Sequence, residues 1–375
     1  MANDPIYDEI NLTTLKEVYP KVIEDQFFLD TPFQAYLRAR AMVPFTGGAF
    51  MQNTFLYKPM IGGAYAKGGS FNITKRQTLA GTQFDPKYYE VSVPEYKEDI
   101  QVINKGPLAV FSLIDTDLRN AMNTISAILA VDMSLHGQGS GTNITGNRPN
   151  NINGWIEALN DGLTPGWEGS IFTAYGTAPR NAVIGSSLNS VPQWLGQTNG
   201  STAPITYQAL EEMYQIASIG REEPDLIVSN KAAYAFVKER IQPQQRFAQE
   251  RDPYWGVSGM RINSAMFLKD DYFPSAKFGV NDPDLGNYLT STFSAVAGAK
   301  GNQPVTGTIT VGEVIAMFNT RKWLFRVSDD PEYGFGFSGF VPAQDNTRVV
   351  GQVKAATNIE CLAPRLNIYG FGIGG

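Results

Sequence analysis

Between Pro107 and His136 the chain has no other glycine or proline, although it holds 37 glycines and 22 prolines in all. From Leu118 onward the apolar residues of this run recur at helical spacing: Leu118, Ala121, Met122, Ile125, Ile128, Leu129 and Met133. The pattern predicts one long helix that starts at Pro107, where a missing N–H is tolerated in the first turn. Gly137 is placed to end it in the left-handed conformation. A helix of about 30 residues is roughly 45 Å long. Ser112 to Asp115 offers a second starting cap within the run. Any fold for this chain has to accommodate such a rod.

Size and composition narrow the choice. A chain of 375 residues with 43% hydrophobic content can bury a real core and divide into lobes. The net charge of −6 leans against a nucleic-acid reader, whose affinity comes from Lys and Arg on phosphates. No apolar run reaches the ~18 residues of a membrane span, and the polar, acidic Met1–Asp8 stretch lacks the features of a secretory signal. A single cysteine, Cys361, excludes an intrachain disulfide, and a single histidine, His136, excludes any two-histidine metal site or histidine relay.

Along the chain, residues 1–45 read as a leading arm. It carries a helical pattern from Leu12 to Phe28, interrupted at Pro20, and a second short helix after Thr31–Pro32. Residues 46–104 are divided by Gly47, Gly48, Gly62, Gly63, Gly68, Gly69 and Gly81. Here Phe55–Pro59 and Phe71–Thr74 read as strands on either side of a glycine-rich crossing, followed by strands at Tyr89–Val93 and Ile100–Ile103. Such a hairpin has few apolar residues for a core of its own, which places its stabilising contacts on a neighbouring subunit. Gly137–Gly141 and the Asn-rich stretch to Asn153 form a link. Residues 154–335 read as a mixed α/β lobe. It contains an amphipathic helix from Thr206 to Ile219, a short buried strand Asp225–Ser229, a helix Lys231–Arg240, and strands at Arg261–Leu268 and Gly312–Phe318. The stretch Arg348–Ile373 is strand material again.

Little in the chain resembles a catalytic or binding constellation. Gly334-Phe-Gly-Phe-Ser-Gly339 has the letters of a dinucleotide fingerprint, but Phe340-Val-Pro342 does not open the helix that phosphate binding needs, so a strand corner is the better assignment. Gly137–Gly141 lacks the Lys-Ser/Thr ending of a phosphate loop. The acidic pairs Asp270-Asp271, Asp282-Pro-Asp284 and Asp329-Asp330-Pro-Glu332 have oxygens suited to a divalent ion, yet Asp and Pro are also ordinary turn residues. His136 has no nucleophile nearby in sequence. Cys361 sits in an apolar strand as a packing residue. Lys67, Lys75, Arg76 and Lys87 are read as solvated or in contact with a neighbour. Asn-x-Ser/Thr triplets such as Asn143-Ile-Thr145 carry no weight without a secretion signal. No catalytic, cofactor-binding or metal-binding residue is assigned, and no cofactor is expected.

The order of these elements resembles the major capsid proteins of tailed phages, the Hong Kong 97 fold family. The resemblance rests on Phe50–Gly81 as an extended loop, Leu118–Gly137 as the end of a spine helix, and Asp225-Leu-Ile-Val-Ser-Asn230 before a helix. It also rests on the closing strands from Val353 to Leu366. It implies an α+β fold with an N-terminal arm (1–45) and an extended loop with the first peripheral-domain strands (46–104). A spine helix and linker (105–153), a mainly axial α/β domain (154–335) and terminal peripheral-domain strands (336–375) follow. It further implies a structural, non-enzymatic virion protein that assembles with itself, as pentamers and hexamers, into an icosahedral shell. The shell encloses double-stranded DNA and is built in the host bacterial cytoplasm with a scaffolding protein and a portal. Three alternatives remain open at this point. One is an encapsulin-type compartment; another is a different virion part such as a tail tube. The third is a metal-dependent enzyme around Asp282 or Asp329.

Overall fold

The structure is a computed structural model that describes residues 32–56, 60–75, 77–98, 113–137, 141–142, 150–164, 170–180, 194–199, 206–241, 250–251, 258–270, 272–273, 313–342 and 348–373. The expected helix at Leu12–Phe28, the strand at Ile100–Ile103, the opening of the long helix before Leu113, and Arg76, Asn143–Thr145, Asp271, Asp282 and Asp284 lie outside these residues.

Helix α1 (Pro32–Ala41) leads directly into β1 (Met42–Phe45), then β2 (Met51–Leu56), β3 (Leu79–Phe84) and β4 (Lys87–Tyr96). The long helix α2 (Leu113–Met133) follows, then β5 (Gly141–Thr142), the short helix α3 (Trp155–Leu159), β6 (Ile171–Phe172), β7 (Ala174–Tyr175), β8 (Ala178–Pro179) and β9 (Gln197–Asn199). Next come α4 (Tyr207–Ala217), β10 (Leu226–Ser229), α5 (Lys231–Ile241), β11 (Glu250–Arg251), β12 (Ser258–Ile262) and β13 (Ala265–Lys269). The last elements are β14 (Glu313–Phe318), β15 (Trp323–Ser328), β16 (Gly334–Phe337), β17 (Val341–Pro342), β18 (Arg348–Cys361) and β19 (Ile368–Ile373).

Two sheets carry the chain. In the six-stranded sheet, β18 is the hub, pairing antiparallel with β4, β15, β16 and β17, while β1 lies parallel to β15. Strand β4 alternates buried and exposed along most of its length, so one face (Tyr89, Val93) is covered, with α2 packed on β4, and the other is bare. The seven-stranded sheet runs β11-β12-β13-β10-β14-β19-β9. Both its faces are buried. Ile227, Ile315 and Met317 face the core built with α4 and α5, while Leu226, Val228, Val314, Ala316 and Phe318 face the larger core of the molecule. Period-two packing on two sides explains why β10 is an unbroken apolar run.

An aromatic knot lies where the two sheets meet. Phe318 of β14 stacks on Phe33 of α1 at 4.4 Å and meets the Trp155 and Trp323 rings edge-on at 6.0 and 5.8 Å. Trp155 in turn stacks on Phe273 at 5.0 Å and meets Tyr369 of β19 at 5.6 Å. Its indole N–H donates to Ser134 Oγ at 3.2 Å.

Several local expectations need correction. The long helix ends at Met133, not His136, and Gly137 does not take a left-handed conformation. Glycine is needed there because a Cβ would come within 2.5 Å of the Asn151 carbonyl oxygen. Phe71–Thr74 is not a strand: Asn72 Oδ1 accepts the Thr74 N–H locally at 3.1 Å, and β2 pairs instead with Leu79–Phe84. Arg261–Leu268 is not one strand but the hairpin β12–β13, turned at Asn263 with φ 52°. The Pro32-led helix and the helices at α4 and α5 form as expected, with Thr206 Oγ1 accepting the Ala209 N–H at 3.1 Å as the cap of α4.

Candidate assembly surface

Strands β2 and β3 pair over Met51–Leu56 and Leu79–Phe84, and the chain between them forms a long loop with no regular structure among its described residues. The root of this hairpin is well held. Phe55 stacks on Trp194 at 4.3 Å, and Phe84 packs edge-on to Tyr175 at 5.1 Å. A polar joint adds to it: Asn53 Nδ2 donates to Glu360 Oε2 on β18, and Arg326 of β15 donates to Asn53 Oδ1 at 3.4 Å and to Glu360 Oε2 at 3.5 Å. Glu360 is fully buried, and its Oε1 has no partner. Burial raises its pKa, while Asn53 and Arg326 pull it back.

Beyond the root the loop reverses this logic. Met60 is 73% exposed, Tyr65 64%, Phe71 67% and Ile73 92%, with the Tyr65 and Phe71 rings 4.8 Å apart. Gly68 at φ 83° and a Gly69 N–H to Ala66 carbonyl bond of 2.8 Å turn the chain between them. Lys67 and Lys75 are exposed and form no ion pair among the described residues. Clustered large apolar side chains in water mark a surface made for a partner. The sparse hairpin was foreseeable from its glycines. The individual contact residues were not, because single apolar residues between glycines have neither helical nor strand period.

The other candidates from the sequence are brought into structural roles. Asp270 is buried and accepts from Phe33 N at 3.3 Å and Tyr272 N at 2.9 Å, which holds the start of α1. Asp330 Oδ1 accepts the Glu332 and Tyr333 N–H groups at 2.9 and 3.2 Å, an ordinary Asx turn. The Gly334–Gly339 segment is β16 and its exit, paired with β18, and no helix follows. His136 is buried, its ring 5.8 Å from that of Phe172. Cys361 is buried on β18, and burial pushes its thiol up to about 12. Lys67 and Lys75 are solvated as expected, but Lys87 is buried beside Asp85 at 3.7 Å. Among the described residues no group of three His, Cys, Asp or Glu side chains is placed to hold a metal, and no helix is long and apolar enough to cross a membrane.

Two buried polar clusters, unforeseen from the sequence, fix the end of α2 against the rest. Asp132 accepts from Tyr89 Oη and Asn151 Nδ2, both at 2.9 Å. Glu157 accepts from Gly137 N at 2.6 Å and Asn153 Nδ2 at 2.7 Å. Arg180, entirely buried, donates to the carbonyls of Glu157, Ala158 and Asn160 at the end of α3. Desolvation lowers its pKa to about 10, so it stays charged at neutral pH.

No known family model matches this sequence, and no curated protein matches it. Solved structures match it over nearly the whole chain. The capsid of a native GTA particle aligns at TM-score 0.56 and 9% identity, covering 99% of both chains. The capsid subunit of Cyanophage A-1(L) aligns at TM-score 0.56 and 13% identity, covering 96% of this chain and 98% of its own. The SrpI encapsulin of Synechococcus elongatus PCC 7942 also aligns at TM-score 0.56, with 8% identity, covering 97% and 95%. The chain therefore has the α+β fold of the Hong Kong 97-type shell subunits.

Proposed function

We propose that this protein is the major capsid protein of a tailed phage, a structural subunit that assembles with itself into a closed icosahedral shell around double-stranded DNA. The observation that carries this is the exposed loop from Met60 to Ile73, an apolar surface left uncovered by the described residues and held out by a buried root. The shared shell fold supports the same conclusion. In this proposal α2 is the spine and the six-stranded sheet is the core of the peripheral domain. The seven-stranded sheet with α4 and α5 is the axial lobe that meets its copies around a capsomer centre. The division of the chain at residues 45, 104, 153 and 335 belongs to the same proposal in outline, with β15 (Trp323–Ser328) counted to the peripheral sheet and β19 (Ile368–Ile373) to the axial one; a scaffolding protein, a portal, and assembly in a bacterial cytoplasm belong to it as well.

Negative-stain microscopy with size-exclusion chromatography of the purified protein tests it. Closed shells, pentamers or hexamers are expected. A stable 41.1 kDa monomer at high concentration, with or without co-expressed scaffolding protein, would refute it. The encapsulin reading has one observation in its favour, the likeness to SrpI. Nuclease-protected DNA inside the shells distinguishes a capsid from a compartment loaded with protein cargo.

A further inference from the structure

One buried carboxylate is only half served, and it sits at the root of the projecting hairpin. Asp132, Glu157 and Asp270 each accept a donor on both oxygens. Glu360 does not. Asn53 Nδ2 and Arg326 Nε both serve its Oε2, and Oε1 has no partner among the described residues. As a neutral acid the group leaves one hydroxyl unpaired; as an anion it leaves buried charge poorly compensated, which costs far more. Burial raises the Glu360 pKa, with Asn53 and Arg326 acting against it. The other titratable groups beside it are Tyr175 of β7 and Cys361 of β18, both held protonated by burial, and β2 brings only the uncharged Asn53.

Two kinds of contact fasten hairpin β2–β3 to the body. Phe55 on Trp194 and Phe84 on Tyr175 form an apolar socket, and a Cβ at Gly176 would come within 2.9 Å of the Phe84 ring. Beside the socket, Asn53, Glu360 and Arg326 form a polar pin that ties β2 to β18 and β15. The Arg326 side chain is 20% exposed, so water reaches the edge of this pin.

We infer that the β2–β3 root is a proton-linked hinge, closed while Glu360 is protonated and opened to water when Glu360 is ionised. This goes beyond the shell proposal and does not rest on it. The sign follows from linkage: low pH favours the state that holds the proton more tightly. The closed root is that state, because opening returns Glu360 to solvent and to its ordinary value of about 4.3. Opening therefore grows as pH rises past that value and levels off above the closed-root value. A single proton limits the growth to about tenfold per pH unit. The aromatic socket carries no charge that changes in this range, so it remains as the pivot when the pin lets go.

Hydrogen exchange read by mass spectrometry on unassembled subunits, from about pH 4 to 8 and corrected for the intrinsic rate, tests the hinge. Amides of Met51–Leu56 and Leu79–Phe84 should exchange severalfold faster at the upper end of that range. There they should also exchange at least tenfold faster than those of β10 and β14. In Glu360→Gln, which keeps the shape of the neutral acid, the rise at β2–β3 should vanish. The same β2–β3 profile in both chains would overturn the inference. So would β2–β3 amides that exchange in step with β10 and β14 at every pH, because opening would then be global unfolding alone. Arg326→Met supplies a second reading. It removes the charge that favours the anion, so the levelling-off should move to higher pH. No shift, or a shift to lower pH, would also overturn the hinge.

Discussion

Replacing Phe318 by alanine removes the central ring of the knot that joins the two sheets. Phe318 is fully buried and pairs with Phe33, Trp155 and Trp323. A buried Phe→Ala change costs about 3–5 kcal/mol through lost transfer energy and the residual cavity. Three ring pairs, each worth about 0.5–1.5 kcal/mol beyond area, place this site toward the top of that range. A loss of about 4 kcal/mol or more is expected, close to a thousandfold in the folding equilibrium. Urea unfolding of unassembled subunits reads it directly, and Trp155 and Trp323 supply a fluorescence signal at the site itself. Phe318→Leu, which keeps most of the volume, should cost only about 1.5 kcal/mol. Because the knot belongs to both sheets, the alanine variant should show two fluorescence phases where the wild type shows one. A loss under about 1.5 kcal/mol for alanine, or equal losses for alanine and leucine, would show that the rings do not act as the joint.

Gly154→Ala should cost at least about 3 kcal/mol in the same assay, since its Cβ would overlap the Leu135 carbonyl oxygen and only backbone movement relieves it; a near-neutral variant would contradict the packing. Glu360 has a folded-state pKa raised by burial, so the folded chain holds that proton more tightly than the unfolded one. Its stabilising contribution is complete below the unfolded carboxylate value of about 4.3 and is lost as pH rises through the folded value. Wild-type stability measured against Glu360→Gln should therefore fall from acid toward neutral pH, and a flat or rising difference would exclude this account. Cys361, with its thiol pushed up to about 12, should resist maleimide in native shells and react only on denaturation; rapid native labelling would place it at the surface.

Elements whose cause is local were legible in the sequence. The spacing of Leu210, Met213, Tyr214 and Ala217 behind Thr206 specifies α4, and the short apolar run Leu226-Ile-Val228 specifies a buried strand. The sequence misled where the cause is distant or silent. Gly137 resembles a helix-ending glycine, yet the requirement at that position comes from the Asn151 and Ile152 carbonyls. Phe71–Thr74 has strand-forming residues but no partner strand, and its side chains are held in water. The reversal at Asn263 was hidden because asparagine takes positive φ with no glycine to announce it. As for the assembly surface, glycine spacing showed that the hairpin lacked a core. The Asn53–Glu360–Arg326 joint at its root links residues 307 positions apart, and nothing local encodes it.

Both sheets are completed by the same late stretch of chain. Strand β18 is the partner of β4, β15, β16 and β17, and β19 sits between β14 and β9. During synthesis the β2–β3 hairpin can pair early, but Glu360, which anchors its root, emerges about 300 residues later, some tens of seconds at ordinary translation rates. Until then the root has its aromatic contacts, Phe55 on Trp194 and Phe84 on Tyr175, but not its polar joint to β18. The order of the chain thus acts as a timer: the polar anchor of the loop forms only when the last strands of both sheets have been made.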